Sequence, residues 1–450
     1  MGRLVMAAAP RSPDPSLVVS LAILVAAGLT CACGSQATGE TRAEAPARTA
    51  SGFETEIAQV RARQKWHRRE EFLHLRLERE ILEQSLDLGT RFLVKYQTER
   101  GDFRYQYDWL QQTWRSGENQ VRQAGALWGL SLCHRHEPST RTRAALKKGF
   151  DFWFDQTFPV ADGALAVRYL MADSVKIGTV ALVGLAIIEY LQGADEIDSE
   201  FRRRLELHLD GYLAFLQSMQ LPDGHFSGEY HFLAQTRSSE SSPYYDGETL
   251  LCLTKAARYL GYSELIPVVE RAARAMAETY TVRSWEVDPD SKQTKGFFQW
   301  GSMAFLEYYE AQWKDHELIG DVALALSWWM VHTHETMARS LNTAYAVEGL
   351  IAGYRVASQR GDSAAAVDLL YVIDRMLFKL TSWQINGPLA SHNEFLVSHP
   401  TQDEWAVGGV MNKDSPARRP RPATTYHELR VDVTQHQMHA VSLALHHIYL

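Results

Sequence analysis

Two carboxylates, Asp246 and Glu248 in "YYDGE", stand where a buried helical pattern begins. A carboxyl so placed can give a proton to a bound substrate or take one, provided a second group faces it across a cleft. Asp108, Glu118, Glu229 and Glu394 are the candidates for that second group. Acids at a helix start also serve as ordinary caps, because the free N–H groups and the helix dipole favour negative charge there. The segment "LRVDVTQHQMH" (429–439) is a second constellation. In a helix beginning near Asp432, the side chains of Asp432, His436 and His439 share one face, with Arg430 just before them. That face could supply a general acid/base histidine, three metal ligands, or hydrogen bonds to neighbouring loops. We read Asp246, Glu248 and His436 as the catalytic candidates, and we assign no metal and no cofactor.

Asn119, Gln120 and Arg122 open another apolar helix, and Lys176 and Asn342 hold the equivalent starts of two more. Arg122 could bind a substrate carboxylate or pair with nearby acids. Ahead of it, "GDFRYQYDWLQQTWRSGENQVRQ" (101–123) carries alternating aromatics, including Tyr105, Tyr107 and Trp109. Aromatics beside carboxylates and amides suit a sugar, which has an apolar face to stack and hydroxyls to bond. The same rings could simply plug a loop cluster. The expected substrate-binding set is Tyr105, Tyr107, Trp109, Asn119, Gln120, Arg122, Tyr245, Arg430 and Asp432. His332, His334, His392 and His399 show no ligand spacing.

These residues need elements to position them, and the chain supplies two kinds. Segments 77–97, 140–157, 198–219, 263–281, 316–336 and 363–383 are amphipathic and charged. Between them lie 119–133, 175–191, 244–260, 296–312, 342–357 and 435–450, apolar nearly all round and rich in Gly and Ala. The first kind is one-sided and the second is buried on most sides. Hairpins that cannot cover their own apolar face cover it by closing into a ring. The predicted architecture is all-α: an (α/α)6 toroid of inner helices around an axis and outer helices as a shell. "FLVKYQTERGDF" (92–103) and "FLQSMQLPDGHF" (215–226) share one frame, and each should end an outer helix, turn at Gly and plug the turn with Phe. "FWFDQTFPVADGAL" (152–165) reads as a worn copy.

On that frame and alternation, residues 77–450 resemble the α/α-toroid proteins: terpenoid cyclases, protein prenyltransferases and six-hairpin glycosidases. The Asp-rich motifs of the cyclases are absent, and the two cysteines of the body, Cys133 and Cys252, lie inside apolar helices. The resemblance therefore implies the carbohydrate-active group, as hydrolase, lyase or epimerase. The competing reading is a non-catalytic toroid that binds glycan or protein. The candidates converge at one mouth, made by loops 101–118, 223–245 and 384–434, where helix N-termini favour an anionic ligand such as a uronic acid.

The first 33 residues read as an export signal. Arg3 and Arg11 precede the apolar run "LVVSLAILVAAGLT" and its exit "CACGS". A Cys there suggests lipidation at Cys33, with Ala32 in place but Thr30 and Cys31 departing from the usual pattern. Gly34 follows, with no Asp to retain the chain at an inner membrane, so the expected location is a cell-envelope, outer-membrane lipoprotein. Residues 34–52 read as a disordered tether, and 53–76 as a charged N-terminal helix with a solvated face. The net charge of −8 leaves no nucleic-acid footprint. The expected partners are a glycan and, through the lipid, a membrane.

Overall fold

The alternation of charged and apolar segments becomes two concentric rings of helices. The computed structural model describes residues 50–67, 69, 74–193, 197–413 and 428–450. The signal, the lipidation site and residues 34–49 of the tether lie outside these. Helices run in the order α1 (Ala50–Arg63), α2 (Arg79–Tyr96), α3 (Gln120–His136), α4 (Thr140–Asp155), α5 (Ile177–Gly193), α6 (Ser199–Ser218), α7 (Pro243–Tyr259) and α8 (Ile266–Glu278). They continue with α9 (Ser284–Val287), α10 (Lys292–Glu310), α11 (His316–His332), α12 (Ala344–Arg360), α13 (Ser363–Thr381), α14 (Glu394–Ser398) and α15 (Val431–His447).

Helix α3 packs on α5, α5 on α7, α7 on α10, α10 on α12, α12 on α15, and α15 back on α3. These six close a ring, and α2, α4, α6, α8, α11 and α13 surround it. The inner helices are buried almost throughout, as their composition requires; every residue from Ile177 to Tyr190 of α5 is buried. Short connections join inner to outer helices at one end. Long ones join outer to inner at the other, forming the mouth. Three small sheets decorate it: β2 (Thr113–Arg115)–β1 (Gln106–Asp108)–β8 (Glu428–Arg430), β3 (Thr157–Pro159)–β4 (Leu165–Val167), and β5 (Ser174–Lys176)–β6 (Glu229–His231)–β7 (Thr236–Arg237). Cys133 and Cys252 are buried and unpaired. Among the described residues no helix is long and apolar enough to cross a membrane.

The repeated frame is a staple between adjacent outer helices. Gln97 donates from its side-chain nitrogen to Gly101 O (3.1 Å) and to Ala145 O of α4 (2.9 Å). Gln220 donates to Gly224 O (3.2 Å) and to Val268 O of α8 (3.0 Å). A third copy, missed in the sequence, joins the last outer helix to the first: Gln384 donates to Gly408 O (3.1 Å) and to Ser85 O of α2 (2.9 Å). Each glycine has positive φ (+104°, +96° and +85°). A β-carbon on any of them would also crowd a backbone carbonyl of the helix its glutamine grips, at Lys148, Arg271 and Leu88. Position 156 does not keep the frame. Gln156 accepts from Leu170 N (2.9 Å), and the chain turns through the β3–β4 hairpin instead. Replacing Gln384 by Ala strands two carbonyls at the ring's closing point and is expected to lower stability by about 1–3 kcal/mol. A urea midpoint equal to the parent's would refute the staple.

The charged segment expected as a helix over 53–76 is helical only to Arg63. Beyond it the chain lies along α13, because two fully buried carboxylates there take its backbone N–H groups. Asp368 accepts from His67 N (3.2 Å) and pairs with Arg69 (2.8 Å). Asp374 accepts from Arg76 N (2.9 Å), Leu77 N (3.3 Å) and Tyr449 OH (2.9 Å). Helical N–H groups would be unavailable to these acids, and a buried acid without donors is costly. Arg61 and Arg69 thus find carboxylates on the outer helices, and Arg76 stacks on Phe378.

Candidate functional site

Seen along the axis, the inner helices present stripes at three- and four-residue spacing. On α7 the stripe is Glu248, Leu251 and Lys255; on α12 it is Glu348, Ile351, Ala352 and Arg355; on α15 it is His436, His439, Leu443 and His447. Each stripe is polar at both ends and apolar between, with Glu248, Glu348, His436 and His439 toward the mouth and Lys255, Arg355 and His447 toward the far end.

Glu248 is 3% exposed, and its Oε2 is buried with no hydrogen-bond partner among the described residues. Burial raises its carboxyl well above the usual carboxylate range, so it is neutral where most glutamates are charged. Gly178 of α5 makes the space: a β-carbon there would fall 2.1 Å from Glu248 Oε2 and 2.6 Å from Tyr245. Burial and the nearby Glu248 push the Tyr245 phenol up to about 12.

Across the axis, Glu348 is fully buried and accepts from His439 Nδ1–H (3.1 Å), with His436 Nδ1 at 3.3 Å. Gln299 donates to its other oxygen. Burial works against the charge on Glu348, but the two imidazoles outweigh it and hold the carboxyl below its ordinary value. A carboxylate can only accept, so the nearer ring, His439, presents its Nδ1–H to Glu348, whereas His436 Nδ1 lies between that carboxylate and the Gln299 side-chain nitrogen, a donor 3.0 Å away. Trp128 lies edge-on to His439 at 4.6 Å, and Trp300 to His436 at 6.0 Å. The Trp128 indole N–H is buried without an acceptor among the described residues. Below it a cavity of about 40 Å³ runs toward the far end, past Lys255, Glu307 and Arg355. That is room for about three waters.

A rim of paired charges surrounds these groups. Arg430 holds Asp432 through two bonds (3.0 and 2.5 Å), and Arg122 stands 3.3 Å from the same carboxylate. Burial opposes the Asp432 charge, but the two guanidiniums hold its pKa below the usual range. Arg122 also donates to Tyr105 OH and keeps part of its side chain in solvent. Asn119 caps α3 by accepting from Arg122 N (3.1 Å), and Gln120 accepts from Thr179 (3.0 Å).

Other expected residues are placed elsewhere. Asp246 turns away from Glu248 into the wall, where it accepts from Phe226 N (2.8 Å), His225 (2.6 Å) and Tyr280 OH (2.5 Å). With no exposure, it anchors the turn at 223–226. Tyr107 and Trp109 are 3% and 2% exposed, bonded to Asp403 and packed on Phe395, so neither offers a free face to a sugar. Asp108 is tied to Arg115, Glu229 to Lys176, and Glu118 accepts from Gln123. Glu394 is exposed at the start of α14. No set of three His, Cys, Asp or Glu side chains among the described residues is placed to hold a metal ion. Glu348, Gln299, Trp300 and Trp128 were not foreseen. A lone acid in the apolar run "NTAYAVEGLIAGYRVA" was the available signal for the first.

The ring has clear structural counterparts. Over 81% of the chain and 95% of the other, it is similar to a GH76 alpha-mannanase of Bacteroides thetaiotaomicron, with TM-score 0.55 and 10% identity. A cellobiose 2-epimerase from Bacillus thermoamylovorans matches over 81% and 98%, with TM-score 0.56 and 10% identity. A sugar epimerase from a ruminal bacterium matches over the same shares, with TM-score 0.54 and 12% identity. The chain has the α/α-toroid fold. No protein-family model matches it, and no curated protein does.

Proposed function

We propose that the protein is an exported, lipid-anchored carbohydrate-active enzyme that works on a glycan at the mouth of the ring by acid–base chemistry. The observation that carries this reading is a pair of carboxyls on one axis with opposite environments. Glu248 is buried with no donor to Oε2 among the described residues, which favours its neutral form, and Glu348 is buried against two imidazoles, which favour its charged form. Such a split assigns an acid and the support of a base. In this reading Glu248 gives its proton to a sugar oxygen, and the imidazole of His436, held beside Glu348 and Gln299, takes one. Hydrolysis would take that proton from the attacking water as the glycosidic C–O bond breaks. Epimerisation would take it from the carbon beside an open-chain carbonyl, and the electron pair would form an enediol. Arg122, part of whose side chain stays in solvent at the rim, favours a sugar bearing a carboxylate. The kinds of enzyme named for the structural counterparts support the glycan as substrate class. A glycan screen followed by product analysis tests it: new reducing ends mark hydrolysis, and an inverted carbon marks epimerisation. Binding without any product would leave a glycan-binding toroid.

The anchor has its own test. The mature chain is expected to begin at Cys33 and to carry lipid there, as an outer-membrane protein where the cell has one. Mass spectrometry of the mature N-terminus decides it, since an unmodified chain starting beyond Cys33 refutes the anchor.

A further inference from the structure

Two histidines meet at the far end of the barrel, where the ring closes on itself. His136 is in the last turn of α3, the first inner helix, and His446 is in the last turn of α15, the last. Their Nδ1 atoms are 3.4 Å apart and their ring planes are inclined at 68°. Two nitrogens bound to one tetrahedral zinc at about 2.0–2.1 Å are themselves about 3.3–3.4 Å apart. The pair therefore already has the bite of a chelate. Both rings sit at helix C-termini, where the dipoles favour a cation. His446 is exposed and His136 partly so, which leaves an approach from solvent.

We propose that His136 and His446 form a two-histidine site for a borderline divalent transition metal, zinc-like in geometry, that clips the first inner helix to the last. The surroundings are compatible with this. The two imidazoles are the protein's ligands, and solvent reaches the open positions. Arg79 is the opposing charge, and it is occupied by Glu83 (2.7 Å) and by the carbonyl of Tyr449 (2.7 Å). Without metal, His446 Nδ1 also lies 3.3 Å from Ser442 O, a contact that metal binding exchanges for the stronger bond. The site lies at the opposite end of the inner helices from the mouth, so it stands apart from the proposed chemistry.

The test uses the full untagged protein with zinc chloride, by titration calorimetry and by thermal unfolding with and without metal. One equivalent is expected to bind and to raise Tm by several degrees. His136→Gln and His446→Gln are each expected to lower the affinity at least tenfold and to abolish the rise, while their metal-free Tm stays near the parent's. Binding that survives in both variants, or no rise in the parent at millimolar zinc, overturns the site. His436→Asn, at the mouth, serves as control and should keep the rise; its loss there would place the metal at the mouth instead and also overturn the proposal.

Discussion

Glu248→Gln is expected to reduce turnover by about 10²–10⁴-fold, the usual contribution of a positioned acid, while the fold persists. Gln keeps the shape of the side chain but has no acidic proton to give. The buried Glu248 Oε2 has no donor to lose among the described residues, so the exchange leaves the packing beside Gly178 and Tyr245 intact. The pH profile adds a reading that a structural role would not move. Glu248 is raised above its ordinary value, so the active, protonated form prevails at low pH and is lost as pH rises through the raised pKa. The parent should therefore lose activity on the alkaline side, and whatever activity Glu248→Gln keeps should lack that limb. Full turnover in the variant on an identified substrate would remove Glu248 from the chemistry. The same linkage touches stability. Above the ordinary glutamate value near 4.3, holding Glu248 neutral costs free energy, so the variant should be at least as stable as the parent at neutral pH.

Glu189→Ala is expected to cost about 3 kcal/mol of stability, measured by chemical denaturation. Glu189 is fully buried on α5 and pairs with Lys255 of α7 and Arg135 of α3, tying three inner helices together at the far end. Removing one partner leaves Lys255, itself 9% exposed, with less compensation for its charge. The figure is at the low end of the range because Arg135 reaches solvent. Burial alone would raise the Glu189 pKa, but Lys255 and Arg135 outweigh it and hold it below the ordinary value. Its stabilisation is therefore complete above about pH 4.3 and is lost as pH falls through the depressed pKa. The variant should show a shallower acid-side loss than the parent. A double replacement, Glu189→Leu with Lys255→Met, should recover part of the stability, because an apolar pair carries no desolvation cost. An unchanged midpoint in Glu189→Ala would mean the network contributes nothing.

The ring was legible because its cause is local. A helix with one apolar face and a helix apolar all round have different compositions, and their strict alternation leaves a closed double layer as the arrangement that buries both. The staple was legible at Gln97–Gly101 and Gln220–Gly224 because donor and turn are four positions apart. Its third copy, Gln384–Gly408, was hidden by the residues inserted between the same two groups. Periodicity identifies a face only where the other face is polar. Through the middles of α10, α12 and α3 nearly every residue is buried, polar ones included, so no solvent face marked Trp300, Glu348 or Trp128 as axial.

Asp246 and Glu248 show most clearly what spacing leaves open. Two positions apart on one helix, they point about 160° apart. Both stand at the start of α7, and the sequence by itself determined that they would. Only the packing decided that Asp246 meets three donors in the wall while Glu248 Oε2 meets none among the described residues. The reason is physical: helix content and alternation follow from side chains near in sequence, whereas the charge state of a carboxyl follows from what the rest of the chain brings to it.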